Sequence, residues 1–425
     1  MQAVLPPQGP KRTSFDDLDA FLREIKRKLE TDDVQQQLLG LSEIYFKFDH
    51  SELERLDPFS DGYRDKVIEF YKKVTGHSHY DAMTMEKTDA ADSLQQGFTP
   101  IPYRFQNSEL VGEYLSCYGW VLRNLKVHAG ADVLEYGPGE GQLSIHLAQM
   151  GCNVCAIDIE QRFLDLIQQQ CRTLGLQMTT QVGRFGDGVE GRKFDRVVFF
   201  EAFHHCFDHY DALLRIRDLL KPEGFICFSG EPIIPSDSPN SLLVPYPWGL
   251  RLDGESMRSI SEFGWMELGY SEPYFLELLA RCGYSVERIP HGVYARADAY
   301  LARKISSRYP IELNTLISTY QGHSGWHPSE GTHRWTDGDA WMPLPILGFR
   351  TASVALQNMG PKTVEVEVSC ASDAHSARLK PGEETTMVLK LSPAPGNLRI
   401  RSGTFRPGSA DPRKLGVAVK AIEFG

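Results

Sequence analysis

The 425-residue sequence predicts an α/β protein built on a doubly wound parallel sheet of seven strands. Strand and helix patterns alternate between residues 127 and 306, and a glycine-rich turn follows the first of these strands. From residue 309 onward, short β-rich segments are separated by Pro and Gly. We therefore expect a helical N-terminal region and lid over 1–126, the α/β domain over 127–306 and an all-β sandwich over 309–425.

The N-terminal region is expected to be helical. Ser14 is a candidate N-cap for an amphipathic helix over 13–30. Further helices are predicted over 34–47, 65–74 and 108–124. The polar stretch between 77 and 99 predicts a loop or lid. We expect the N-terminal region as a whole to cover a ligand site in the α/β domain and to help select the substrate.

The α/β domain contains short apolar runs separated by amphipathic segments. The strands are predicted at 133–135, 154–158, 179–182, 196–201, 225–231, 284–289 and 299–304. The intervening helices include 160–174, 211–220 and 272–282. In the C-terminal part, strands are predicted at 354–357, 363–369, 385–391, 398–402 and 415–423. Their alternating apolar and polar residues are typical of half-buried strands.

The first strand runs into the turn Val-Leu-Glu-Tyr-Gly-Pro-Gly-Glu-Gly, and a helix is expected to begin at Gln142. Glycines let the backbone approach a ligand, and the free N–H groups of a first helical turn point towards it. The spacing differs from the Gly-x-Gly-x-x-Gly of dinucleotide sites. Glu135, at the end of the strand, would repel a diphosphate but suits a ligand with an ammonium group.

This acid-x-Gly-x-Gly-x-Gly pattern resembles the first motif of the class I S-adenosylmethionine-dependent methyltransferases. The resemblance implies a Rossmann-like sheet that ends in an antiparallel hairpin, with S-adenosylmethionine as the cofactor. The residues that it assigns to the cofactor are Glu135, Gly137, Gly139, Gly141, Asp158, Ile159, Phe185 and Asp187. Of these, Asp158 would meet the ribose hydroxyls, Phe185 would stack on the adenine and Asp187 would accept from its amino group. Asp158 also suits a helix cap.

The fourth strand ends at Glu201, followed by His204 and His205. Ligands of such sheets bind outside the carboxyl ends of the strands, so these side chains should face the transferred methyl group. His204 or His205 is the candidate base, with Glu201 as its partner or as a cofactor contact. The same three residues are similar to the Glu-x-x-Glu-His cluster of metal-dependent methyltransferases, which leaves a metal role open. A purely structural role is the third alternative.

The predicted acceptor site lies after the fifth strand. Glu231 ends that strand, and Tyr246, Trp248, Arg251 and Asp253 follow in a long connecting segment. Aromatic faces and charged groups together suit a carbohydrate, although a lid packed by its own aromatic residues is the alternative. The stretch from Gly-Trp-His-Pro-Ser-Glu to Arg-Trp-Thr, over 325–336, resembles β-sandwich modules of bacterial polysaccharide-building enzymes.

The composition narrows the functional classes. A formal net charge of −11 argues against a general nucleic-acid binder, and no apolar run reaches the ~20 residues of a membrane span. Residues 1–11 contain no apolar core of a secretory signal. The eight cysteines are scattered, and the Cys152/Cys155 pair lies in a predicted strand, so we expect buried thiols and a cytoplasmic protein.

Together these patterns predict a methyltransferase that acts on a sugar hydroxyl of a polysaccharide or glycoconjugate. A small-molecule or natural-product hydroxyl is the alternative acceptor. A non-catalytic carbohydrate-binding protein with a degenerate methyltransferase domain is the alternative from another class. The intact set of acid and glycines argues against degeneracy.

Overall fold

The computed structural model describes residues 11–29, 41, 44–87, 107–235, 243–304, 325–344, 350–392, 397–409 and 411–425. Contacts divide the chain into two compact units, Met1–Tyr274 with Arg288–Tyr300 and Phe275–Glu287 with Leu301–Gly425. The helix expected over 34–40 and the lid residues 88–99 lie outside the described residues. The domain boundaries drawn from the sequence stay predictions.

The N-terminal elements are β1 (Lys11–Ser14), α1 (Leu18–Leu29), β2 (Ile44–Lys47), α2 (Asp61–Thr75), α3 (Ala82–Met85) and α4 (Ser108–Leu125). Ser14 accepts a hydrogen bond from the backbone of Asp16 and opens a short 3₁₀ turn ahead of α1. The helix predicted over 44–47 is wrong. The segment Ile-Tyr-Phe-Lys pairs in parallel with β1, so its β-branched and aromatic residues form a strand.

The strands of the central sheet are β3 (Asp132–Tyr136), β4 (Asn153–Asp158), β5 (Thr179–Val182), β6 (Phe194–Phe200), β7 (Leu220–Ser229), β11 (Tyr284–Ile289) and β12 (Ala299–Lys304). These seven strands lie in the order β11-β12-β7-β6-β3-β4-β5, which confirms the predicted fold class. The pairs β3/β4, β3/β6, β4/β5 and β6/β7 are parallel. In this register the carboxyl ends of β3, β4 and β6 lie side by side, where a ligand is expected.

Helices connect these strands. They are α5 (Gln142–Gln149), α6 (Gln161–Leu174), α7 (His209–Leu219), α8 (Gly254–Phe263) and α9 (Glu272–Arg281). The strands β8 (Ile233–Ile234), β9 (Trp248–Leu250) and β10 (Leu268–Ser271) form a small sheet of their own. None of the described helices is long and apolar enough to cross a membrane.

The C-terminal strands are β13 (Trp326–Ser329), β14 (Arg334–Thr336), β15 (Asp339–Pro343), β16 (Thr351–Gln357), β17 (Val364–Cys370), β18 (Asp373–Leu379), β19 (Glu384–Lys390), β20 (Asn397–Ser402) and β21 (Ala418–Phe424). They form two sheets, ordered β13-β14-β21-β16-β19 and β15-β20-β17-β18. Val354 and Leu356 of one sheet share a buried cluster with Val366, Val368 and Ile400 of the other. The sequence gives no strand signal for β18, whose residues are mostly exposed and held by pairing with β17.

Candidate active site

The turn between β3 and α5 requires its glycines. Gly137, Gly139 and Gly141 adopt left-handed conformations, with φ of 60°, 52° and 84°. A Cβ atom on Gly137 would lie 2.8 Å from the Cβ of Ala202, and one on Gly141 would lie 2.5 Å from Cγ1 of Ile167. The same test at Gly139 meets open space. The turn therefore presents bare backbone to whatever lies above it.

Glu135 lies beneath this turn and is 3% exposed. Its carboxylate accepts a hydrogen bond from the hydroxyl of Ser144 in α5. Burial, with the nearby negative charge of Asp158, raises the pKa of Glu135 to about 7. Glu135 does not line the cavity described below, so its contact with a cofactor stays a prediction.

Asp158 ends β4, and its carboxylate accepts from the backbone N–H of Glu160 at 2.8 Å. Burial raises its pKa to about 6, while this bond and the N–H groups of Gly139 and Ile159 oppose the rise. Asp158 also lines the cavity. Asp158 therefore lines the cavity and closes the turn before α6, whereas the predicted cap role is wrong: the N-cap is Glu160, whose carboxylate accepts from the backbone N–H of Arg162.

A cavity of about 540 Å³ opens above the sheet. At one end it is lined by Gly137, Gly139, Asp158, Ile159 and Phe185, all expected from the sequence. Residues that the sequence reasoning did not single out also line it, namely Tyr80, Asp81, Ala82, Glu86, Glu140, Phe163, Gly183, Arg184, Ala202, Cys206, Phe207, Asp208, Arg215 and Trp265. Tyr80, Asp81, Ala82, Glu86 and Trp265 lie in segments without a recognisable motif. Seven others lie in the segments that the sequence marked, namely Glu140, Gly183, Arg184, Ala202, Cys206, Phe207 and Asp208.

Asp187 is directed differently from the expectation. Its carboxylate accepts from the backbone N–H of Arg184 at 2.8 Å and closes its own turn. It is absent from the residues that line the cavity, whereas its neighbour Phe185 is present. Phe185, which was expected to stack on the adenine, therefore lines the cavity. Asp187, which was expected to accept from the adenine amino group, does not.

Glu201 lines the cavity in a left-handed conformation, with φ of 51°. Its carboxylate forms an ion pair with Arg296 and accepts from the hydroxyl of Tyr114 at 2.9 Å. A non-glycine residue in this conformation stores strain, which persists where surrounding contacts fix it. Glu201 is therefore held by Arg296 and Tyr114 and does not contact the two histidines as the sequence suggested.

His205 also lines the cavity. Its Nδ1 lies 3.0 Å from Oε2 of Glu86, whose other oxygen accepts from the hydroxyl of Tyr80 and the backbone N–H of Met266. Burial alone would lower the pKa of His205, but the hydrogen bond to Glu86 and the charges of Glu86 and Glu267 raise it to about 9. The residue is thus firmly oriented by a buried carboxylate.

His204 lies behind His205, with ring centroids 4.3 Å apart, and does not line the cavity. Its Nδ1 is 2.8 Å from Oε2 of Glu231, and its Nε2 is 3.8 Å from Oε2 of Glu267. Burial and the neighbouring His205 hold the pKa of His204 well below its usual range. The candidate metal ligands are therefore His204, His205 and Glu267. Glu267 replaces Glu201 in the set expected from the sequence.

The expected role of Glu231 in binding substrate is corrected by its contacts. Its carboxylate accepts from three successive backbone N–H groups, those of Ala202, Phe203 and His204, at 2.9–3.0 Å. It also contacts the His204 ring. Glu231 is 7% exposed, so it fixes the loop after β6 and is not presented to an acceptor.

The expected carbohydrate platform is also corrected. Tyr246 and Trp248 are 4% and 1% exposed and donate hydrogen bonds to the carbonyls of Leu250 and Pro58, respectively. Arg251 forms an ion pair with Glu267, and Asp253 caps α8 through the backbone N–H of Ser256. The two aromatic rings are buried and the two charged groups are paired within the protein. This arrangement agrees with the alternative stated above, a lid packed by its own aromatic residues. Trp335, at 6% exposed, likewise packs in a buried cluster.

Comparisons with known proteins agree with this geometry. Residues 134–228 match the family described as methyltransferase domain. Ubiquinone biosynthesis O-methyltransferase of Actinobacillus pleuropneumoniae serotype 7 (strain AP76) is 31% identical over 106 residues, covering 24% of this chain and 45% of that protein. The protein of the same name from Pasteurella multocida (strain Pm70) is 30% identical over 111 residues, covering 24% and 46%. The chain thus spans less than half the length of these curated relatives.

Among solved structures, this chain resembles the 1,6-didemethyltoxoflavin-N1-methyltransferase of Burkholderia thailandensis, solved with bound 1,6-didemethyltoxoflavin and S-adenosylhomocysteine. The similarity covers 45% of this chain and 77% of that one, with 20% identity and a TM-score of 0.33. The match to a methyltransferase domain covers the stretch from β3 to β7, which contains the glycine turn, Asp158 and His205.

Proposed function

We propose that this protein uses S-adenosylmethionine to methylate a hydroxyl group of a small-molecule acceptor. One observation carries the proposal: a single cavity joins the glycine turn and Asp158 at one end to the oriented imidazole of His205 at the other. A methyl donor and an acceptor must meet in one enclosed space, because the reaction is an in-line displacement that depends on positioning.

The cofactor residues fit the proposed ligand. Gly139 lets a ligand approach the backbone, and Asp158 is placed to accept from hydroxyl groups. The cavity wall carries an excess of acid that suits a cofactor with sulfonium and ammonium charges and disfavours a diphosphate. Its charged residues are Asp81, Glu86, Glu140, Asp158, Glu201 and Asp208 against Arg184 and Arg215, beside His205.

S-adenosylmethionine supplies a methyl group on a sulfonium. When the methyl group moves, a carbon–oxygen bond forms, the carbon–sulfur bond breaks with its electron pair left on sulfur, and the hydroxyl proton passes to the neutral form of His205, whose share grows as the pH approaches the raised pKa of about 9. His205 is the group at the acceptor end that is placed to engage this hydroxyl, and Glu86 fixes its ring. Tyr80, Phe207 and Trp265 give that end an apolar wall that restricts water.

The preference for oxygen is supported by the names of the two curated relatives, both O-methyltransferases. The preference for a small molecule rests on the size of the cavity, about 540 Å³, and on the loss of the sugar platform that Tyr246 and Trp248 were expected to form. We therefore propose a non-saccharide hydroxyl as the acceptor and include saccharide hydroxyls among the compounds to be tested.

The test begins with calorimetric titration of the full chain by S-adenosylmethionine. Incubation with labelled cofactor and a panel of phenolic, aliphatic and saccharide hydroxyls follows, with mass spectrometry of the products. We expect cofactor binding and methylation of a non-saccharide hydroxyl. No binding at millimolar cofactor would favour the non-catalytic alternative, and transfer to saccharides alone would return the acceptor to the class predicted from the sequence.

A further inference from the structure

Three carboxylates surround the adjacent rings of His204 and His205. The side chains of Glu86, Glu231 and Glu267 are at most 7% exposed. The described residues place one guanidinium against this group, that of Arg251, which contacts Glu267. With both imidazoles neutral, as binding a metal requires, the three ionised carboxylates meet the one positive charge of Arg251, and buried charges need partners. The two negative charges that remain match one divalent cation, which would displace the proton that His205 otherwise carries.

The geometry allows one ion to reach three donors. One ligand atom from each of His204, His205 and Glu267 lies within 4.8 Å of the others, and His204 Nε2 is 3.8 Å from Glu267 Oε2. Metal–nitrogen and metal–oxygen bonds are about 2.0–2.2 Å long, so an ion spans donors about 4 Å apart with small side-chain shifts. Two imidazoles and one carboxylate form a donor set used by zinc and non-haem iron.

The outer contacts of the two rings supply an independent argument. His204 Nδ1 lies 2.8 Å from Glu231, and His205 Nδ1 lies 3.0 Å from Glu86. Histidines that bind metals typically donate their second ring N–H to a carboxylate, which fixes the tautomer and the ring orientation. Both rings therefore have one nitrogen engaged by a buried carboxylate and the other left for a ligand.

We propose that His204, His205 and Glu267 bind one divalent transition-metal ion, with Glu86 and Glu231 orienting the two rings. Zinc or ferrous iron suits these donors better than magnesium, which prefers oxygen ligands. The use of the ion rests on the proposed function. Because His205 lines the cavity, a bound ion lies beside the acceptor, where it polarises the hydroxyl oxygen and the proton leaves to water.

The test uses the full chain, dialysed against a chelator and titrated with Zn²⁺ by calorimetry, with Co²⁺ absorption as a second probe of nitrogen ligands. We expect one ion per chain. His204→Ala and Glu267→Gln should weaken binding at least 100-fold, and Glu86→Gln 10–100-fold through loss of ring orientation. His79→Ala changes an exposed histidine outside the cluster and should bind as the wild type does.

Failure of the wild-type chain to bind Zn²⁺, or equal binding by all variants, would overturn the metal site. The wild-type measurement decides even where a variant does not fold. Titration with S-adenosylmethionine separates the two proposals. Cofactor binding without Zn²⁺ binding removes the metal site alone, whereas Zn²⁺ binding without cofactor binding removes the proposed function and leaves the ion site standing.

Discussion

The hydroxyl of Ser144 donates a hydrogen bond to the carboxylate of Glu135, and both side chains are buried under the glycine turn. An ionised carboxylate in this position loses its hydration, which raises its pKa to about 7 from an ordinary 4.5. The folded state without ligand therefore favours the protonated acid. A cationic ligand above the turn would favour the carboxylate.

Stability should accordingly depend on pH. The contribution of Glu135 is full below pH 4.5 and is lost as the pH rises through 7, since the folded-state pKa is the higher one. At pH 8 we expect the free energy of unfolding of Glu135→Gln, measured by urea denaturation, to exceed that of the wild type by up to about 3 kcal/mol. The variant should also bind no cofactor. Glu140→Gln, on the same turn, should keep the wild-type pH dependence. An identical pH dependence in the Glu135 variant would contradict the assignment.

Asp158→Asn should separate closure of the turn from cofactor binding. An asparagine oxygen still accepts from the N–H of Glu160, so at pH 4, below the raised pKa of about 6, the free energy of unfolding should change by less than about 0.5 kcal/mol. The cofactor Kd should rise at least about tenfold, roughly 1.4 kcal/mol, because the charge-assisted bonds to ribose hydroxyls are lost. Calorimetry and unfolding measure the two effects. Asp158→Ala, which also removes the acceptor for the N–H of Glu160, should lower both stability and affinity, and an unchanged Kd in Asp158→Asn would exclude the ribose role.

Gly141→Ala should lower the free energy of unfolding by about 1–3 kcal/mol. The new Cβ would lie 2.5 Å from the Ile167 side chain, and residue 141 has a left-handed conformation. Cofactor affinity should fall with it. Gly130→Ala has a similar φ of 85° but open space around the new atom, so it serves as the matched control and should cost about 1 kcal/mol. Equal effects of the two changes would show that the contact with Ile167 is unimportant.

Trp248 and Trp265 should respond in opposite ways. Trp248→Ala opens a cavity in the core and should cost about 3–5 kcal/mol of unfolding free energy. Trp265→Ala changes the wall of the active-site cavity beside His205, so we expect near wild-type stability and a raised KM for the acceptor. Thermal unfolding and steady-state kinetics measure the pair. A specific loss of acceptor binding in a stable Trp248→Ala protein would restore the carbohydrate platform.

The sequence predicted the sheet well, and five of the eight residues expected to hold a cofactor line the cavity, because strands and glycine turns leave local patterns. The strands 179–182 and 284–289 and the start of α5 at Gln142 agree with the structure at residue level. The acceptor end was predicted less well. Glu86, Trp265 and Glu267 reach their places through long-range packing, which leaves no local motif in the sequence. The aromatic residues of the 246–253 segment are compatible with a binding surface and with a buried core, and the sequence alone does not distinguish the two.

The contribution of α3 and its flanks to the cavity has a practical consequence for dissecting this chain. Tyr80 and Glu86 precede the stretch that matches the methyltransferase domain by some fifty residues, yet they form one wall of its cavity. A fragment begun at residue 127 would keep the glycine turn and Asp158 while leaving His205 without its carboxylate partner. Shuffling this domain between proteins would thus transfer the glycine turn and His205 without Tyr80 and Glu86, which complete the cavity lining.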